Sequence, residues 1–173
     1  MKKILLLTAL TLCLSLSAFS QKYGYIDSEY ILGNIPEYKE AQRDLDRLAA
    51  NWQKDIERLF TSIDSMYKSY QVEAITLPEN LRVKREEEII KAEQDAKELQ
   101  RKRFGRDGDL FKKREELVKP IQDRVFNAIE AYAKDRGYAF VFDTAGSMTI
   151  VYADTKFDLN DEIMKRLGIV VKD

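Results

Sequence analysis

Apolar residues beyond Ala41 recur at Leu45, Leu48, Trp52, Ile56, Leu59, Ile63, Met66 and Tyr70, in steps of 3, 4, 4, 3, 4, 3 and 4. This is a heptad seam with one extra four-residue step, a stutter, near Trp52. It predicts a helix over 36–74, opened by Pro36 and roughly 58 Å long at 1.5 Å per residue. A stripe so narrow suits one slender partner rather than a broad core. The break "ITLPEN" (75–80) is short, with Thr76 or Leu77 as cap and Pro78 in the first turn of the next helix. The two long helices then form an antiparallel hairpin, the second running to Arg136 and stopping at Gly137.

The returning seam is strong at Leu110, Leu117, Ile121, Val125, Ala128 and Tyr132. Its middle is thin, because the positions expected after Leu99 fall on Arg103 and Arg106. Glu87–Lys91, Glu93–Lys97 and Glu98–Lys102 are spaced i, i+4, the charge pattern of a helix standing in water.

Outside the hairpin the period changes to two. "YGYID" (23–27), 138–143 and 148–153 read as strands, the last two as a β-hairpin. Asp27 or Ser28 caps a short helix after the first strand, and Asp158 or Asn160 caps "DEIMKRL", closed by Gly168. An up-and-back helical pair returns the chain to its start, so the first strand can join the hairpin as a third. Such a sheet keeps open edges and aromatic faces. Several subunits closing it together is the expectation, with Tyr25, Ile26, Phe140, Phe142, Ile150 and Tyr152 in the oligomerisation body.

The first twenty residues carry a positive start ("MKK"), an apolar run and Ala18-Phe19-Ser20, a secretory signal with cleavage expected near Ser20. "LTLC" loosely resembles a lipobox, but Leu12 stands where a small residue is expected. Cys13 is the one cysteine and is expected to leave with the signal, so the exported chain is expected to have no disulfide. From Gln21 on it keeps 27 of the 29 Lys+Arg (Lys2 and Lys3 leave) and all 30 Asp+Glu, a formal charge of −3. That balance speaks against nucleic-acid binding. Without His or Cys, the commonest general base and the thiol nucleophile are missing. No Gly-rich phosphate loop is present, so neither an enzyme nor any cofactor is expected.

The order of signal, "YGYID", Pro-started long helix, "KPIQDRVFNAIEAYAKDRGYAFVFD" and "IVYADTKFDLNDEIMKRL" resembles the Skp (OmpH-like) family of periplasmic chaperones. The likeness covers essentially the whole exported chain, and 117–167 is its specific part. It implies a mainly α fold with a small β body. Each subunit's helical hairpin, a tentacle, projects from a barrel-like body with three strands per subunit, in a homotrimer. The cavity between tentacles holds unfolded outer-membrane proteins without ATP. Residues 21–35 and 118–173 would form the body and 36–117 the arm. Well-known members are basic and this chain is slightly acidic, which weakens the expectation of lipopolysaccharide or anionic lipid as a further partner.

"RKRFGRDGDLFKKR" (101–114) places Gly105 and Gly108 inside a helical pattern, each costing about 1 kcal/mol relative to Ala. They are candidates for an arm hinge, or for a kink with no gating role. Pro120 is a second kink candidate, expected to set the angle at which the arm leaves the body. "DGD" lacks the ligand spacing of a calcium loop. Asp143, Asp154, Asp158 and Asp161 read as turn and cap residues rather than catalytic carboxylates. Tyr67, Phe104 and Phe111 are the candidate client contacts. The competing function is a coiled-coil spacer or adaptor of the cell envelope, which would favour a rigid, continuous seam.

Overall fold

The structure is a computed structural model that describes residues 21–146 and 150–169. The signal segment and Met148 lie outside the described residues. In chain order the elements are β1 (Lys22–Ile26), α1 (Ser28–Gly33), α2 (Pro36–Glu73), α3 (Glu79–Phe104), α4 (Asp109–Arg136), β2 (Tyr138–Asp143), a 3-10 turn (Thr155–Phe157) and α5 (Asn160–Arg166). The chain separates into two compact units: Leu32–Arg124, and the described residues up to Ile31 and from Val125 on.

The helical unit follows the seam. Pro36 opens α2 behind Ile35, and Ala74 N–H closes it on the Tyr70 carbonyl at 2.8 Å. The turn that follows is held by Thr76 and Leu77 N–H, both donated to the Glu73 carbonyl. Pro78 itself is the N-cap of α3, with no side-chain cap, where the sequence pattern had placed Thr76 or Leu77. Thr76 Oγ1 donates instead to the Glu73 carbonyl at 3.0 Å. Its hydroxyl is spent on the end of α2.

Two apolar clusters hold α2 to the returning helices. Ile63, Ile89 and Ala96, with Met66, Tyr70 and Ala92 against them, form one next to the turn. Ala41, Leu45 and Val118 form the other, with Tyr38, Leu110, Leu117 and Ile121. The predicted single return helix is instead two, α3 and α4, separated at Gly105–Gly108. Pro120 lies on the solvent side of α4, which runs unbroken past it. Among the predicted ion pairs Glu93–Lys97 forms at 3.3 Å, whereas Lys91 turns to Asp95 at 2.8 Å. That hydrogen bond to the Asp95 carboxylate raises the Lys91 pKa.

In the other unit β1 pairs with β2, and the pairing is parallel: Tyr23 lies beside Phe140, Gly24 beside Val141, Tyr25 beside Phe142 and Ile26 beside Asp143. The first strand therefore finds the partner expected of it. The expected hairpin does not form in the described residues. Ile150–Asp154 carry no strand, and among the described residues the sheet has two strands, where three were expected. Val151 and Tyr152 are 96% and 84% exposed, so among the described residues these two side chains have little packing to hold the segment extended.

The far edge of β1 is taken by Asp158–Leu159: Leu159 N–H donates to the Tyr25 carbonyl at 2.9 Å. Thr144 N–H donates to the Ile26 carbonyl at 2.8 Å and so extends the β2 side. Gly137, at φ 70°, supplies the left-handed turn between α4 and β2 that a side chain would disfavour. Ile26, Ile31, Val125, Leu159, Ile163 and Met164 are the buried apolar residues of this unit.

Candidate functional site

Side-by-side pairing in a parallel sheet puts Tyr23, Tyr25, Phe140 and Phe142 on one face. Phe140 is 57% and Phe142 46% exposed, with their rings stacked at 6.3 Å, and Tyr23 is 52% exposed. Tyr23 is also tilted against Phe157 at 5.3 Å. Parallel sheets normally have both faces covered. Here the β1 side of the opposite face is covered, since Ile26 is buried and Gly24 lies against Leu159, while Tyr23, Phe140 and Phe142 of the aromatic face are exposed. Of the sequence-predicted body residues, Phe140, Phe142 and Tyr152 are exposed, Tyr25 and Ile150 are half-buried, and Ile26 is taken up by the chain's own core. Burial and the Asp158 and Asp154 carboxylates push the Tyr25 hydroxyl above its ordinary pKa, so it stays neutral.

Four carboxylates of this unit accept from backbone N–H groups. Asp143 Oδ1 accepts from Ser28 N–H and Ala145 N–H, both at 3.0 Å. Asp154 accepts from Lys156 N–H and Asp158 from Asn160 N–H. Asp27 accepts from Tyr30 N–H at 2.9 Å and caps α1 as expected. Asn160 was a predicted cap for its own helix. It is buried and accepts from Asp27 N–H at 2.7 Å, tying the end of β1 to α5. Among the described residues no group of three or more His, Cys, Asp and Glu could hold a metal ion.

In the helical unit the candidate residues do not converge. Tyr67 on α2 and Phe111 on α4 are exposed, alongside Leu59, Phe60 and Ile90. Phe104 is half-buried with its edge against Trp52, ring centroids 6.3 Å apart. The Arg103 guanidinium lies 4.4 Å over the same indole and pairs with Asp109 at 2.6 Å. The stutter residue thus sits opposite the break between α3 and α4. Gly105 N–H ends α3 on the Arg101 carbonyl at 2.7 Å, and Gly108 N–H turns back to the Gly105 carbonyl at 2.9 Å. A Cβ on Gly105 would overlap the Arg101 carbonyl, and one on Gly108 would come within 2.8 Å of the Lys102 carbonyl. Only glycine fits either position in this conformation.

Sequence reasoning missed the role of Arg103. The signal was present: an arginine in an apolar slot, at antiparallel register with the chain's one tryptophan. Near the turn, the Tyr70 hydroxyl donates to Glu86, which raises the Tyr70 pKa. Among the described residues no helix is long and apolar enough to cross a membrane.

A solved structure from Caulobacter crescentus CB15, named provisionally as an outer membrane chaperone (OmpH-like), has the same fold at a TM-score of 0.66 and 10% identity, covering 88% of this chain and 89% of that one. An uncharacterized protein of Aquifex aeolicus (strain VF5) is 28% identical over 167 residues, 96% of both chains. The family described as "Outer membrane protein (OmpH-like)" matches residues 22–167, nearly the entire described chain, and the protein belongs to that OmpH-like family.

Proposed function

We propose that this protein is an ATP-independent holdase of the periplasm that shields unfolded outer-membrane proteins from one another. Membership of the OmpH-like family supports the client class. The observation that carries the reading is the distribution of apolar surface on α2–α4. Leu59, Phe60, Tyr67, Ile90 and Phe111 are exposed and dispersed among charged residues. Dispersed apolar contacts grip an extended chain weakly at many points without selecting its sequence. Each exchanges quickly, so the client leaves when folding into the membrane offers a lower free energy.

In this reading 36–117 is the arm and 21–35 with 118–173 is the body. The open face bearing Phe140 and Phe142, and the free edge of β2, are covered by other copies of the chain in a homotrimer. The strand expected at 148–153 forms as the third of each subunit when a neighbour supplies its packing. Tyr67 and Phe111 meet the client, and Phe104 serves the Trp52 contact. The signal is removed near Ser20.

The test is dilution of a urea-unfolded outer-membrane β-barrel protein into buffer with increasing amounts of the chain from Gln21 on, followed by light scattering. Suppression saturating near three chains per client is expected. Unchanged scattering at every ratio sinks the holdase reading and favours a spacer or adaptor that binds a folded partner.

A further inference from the structure

We infer that Trp52, Arg103 and Asp109 form an ionic latch that holds the break between α3 and α4 closed, so that the stiffness of the joint its glycines permit depends on ionic strength. Several observations converge on it. The break interrupts the backbone ladder, so the helix itself gives little continuity across Gly105–Gly108. One short turn, Gly108 N–H to the Gly105 carbonyl, is the backbone bond within the break. Arg103, before the break, reaches Asp109, the first residue of α4, at 2.6 Å. Both side chains are about two-thirds buried, at 32% and 28% exposure, which sets them apart from the exposed ion pairs along α2 and α3.

The guanidinium that makes this pair also lies on the face of Trp52, a residue of α2. One planar cation thus joins three helices: α3 by its own backbone, α4 through Asp109 and α2 through Trp52. Phe104 closes the indole from its edge. Lysine cannot replace this arrangement, since its point charge has no planar face to lie on the indole while an edge N–H reaches the carboxylate.

Salt is the lever. The Debye length falls from about 10 Å at 0.1 M to about 3 Å at 1 M, and the pair, though screened less than an exposed one, keeps about a third of each side chain within reach of ions. Release of the guanidinium uncovers Trp52 and frees α4 from α3, with both helices intact on either side of the joint. The inference concerns the chain alone and stands whether or not the protein holds clients.

Trp52 is the chain's one tryptophan and reports the latch directly. The experiment uses the chain from Gln21 on, the whole described fold, as wild type, Asp109→Asn, Arg103→Gln and Arg103→Lys. Acrylamide quenching of Trp52 and hydrogen exchange of the amides at 105–112 are followed from about 0.05 to about 1 M NaCl, a range that spans the screening limits. In the wild type, quenching rises with salt and exchange at 105–112 quickens by up to about fivefold, the change that loss of a pair at the upper end of the range for exposed pairs would give.

Asp109→Asn and Arg103→Gln sit at the high-salt values at every salt concentration, with wild-type helical circular dichroism. Arg103→Lys keeps the salt response from a higher starting level of quenching, and it serves as the reading if either neutral variant loses helix. A salt-independent wild type overturns the inference. So do neutral variants that keep the wild-type salt response, or an Arg103→Lys variant indistinguishable from wild type.

Discussion

Gly24 is the position where the smallest change should cost the most. It is buried in β1 beside Val141, and a Cβ added there would lie 2.6 Å from Leu159 Cδ1, 2.9 Å from Leu159 Cγ and 3.1 Å from the Phe157 carbonyl oxygen. Carbon atoms rest about 3.5–4.0 Å apart, so the methyl enters roughly 1 Å too deep. Leu159 cannot retreat freely. It is buried, and its N–H is bonded to the Tyr25 carbonyl one residue along the same strand. Overpacking of this kind costs about 1–3 kcal/mol. Restricting the unfolded chain returns about 0.4–1 kcal/mol. Gly24→Ala should therefore destabilise by about 1.3 kcal/mol, the midpoint of the first range less that of the second. Leu159→Ala alone should cost about 2–5 kcal/mol, because it empties a buried site.

In the double variant the new methyl occupies part of that space, so the two losses should fall short of additive by about 1 kcal/mol. Urea unfolding followed by circular dichroism measures all three, at one fixed chain concentration because self-association would shift the midpoint. A Gly24→Ala variant within about 0.5 kcal/mol of wild type, or strict additivity in the double, refutes the packing argument.

Three further outcomes are expected. Phe140→Ser with Phe142→Ser should lower the mass measured by sedimentation while leaving helix content intact, at about 2 kcal/mol or roughly 30-fold in association per ring buried; an unchanged mass would place the interface elsewhere. Burial raises the Asp143 pKa, but hydrogen bonds from Ser28 and Ala145 N–H outweigh it and hold the carboxyl below its ordinary value. Its contribution is present above the unfolded pKa of about 3.9 and is lost as pH falls through the folded value, so the stability gap between wild type and Asp143→Asn should close below about pH 4. A gap that persists in acid would assign the effect to packing. Gly105→Ala with Gly108→Ala cannot adopt the present break, and each alanine favours helix by about 1 kcal/mol. Continuous helix and slower amide exchange over 104–109 are expected, and unchanged exchange there would count against the joint as a site of flexure.

The helical part of the fold was legible because its signals are local. A seam of threes and fours, a proline at the first turn and a glycine at the stop need no knowledge of what lies elsewhere, and α2 ends within a residue of the expected position. The break was half-legible. Gly105 and Gly108 marked the place, but a helical period continues through them, so the pattern alone did not separate α3 from α4. The sheet was the least legible. Alternation at 138–143 and 148–153 suggested an antiparallel hairpin by proximity in sequence. Yet β2 takes a parallel partner from the other end of the chain, because the long excursion brings β1 back in the same direction. Asn160 shows the same limit: its bond to Asp27 N–H joins residues with nearly the whole chain between them, and composition carries no trace of such a contact.

The arginine at seam position 103 then acquires a physical reason. An apolar residue at 103 would have joined the clusters on either side into one continuous core, from Leu45 and Val118 through to Ile63 and Ile89. Arginine divides it. The two clusters hold by apolar burial, which salt does not weaken, whereas the segment between them holds by a cation on an indole and a carboxylate, which salt does weaken. A helical pair built this way yields at a defined place while its ends keep their pairing. A rigid spacer has no use for such a division, since a continuous Leu or Ile seam is both simpler and stiffer. A surface that must close around chains of different size does, because its cohesive ends fix where it bends and its polar middle sets how easily.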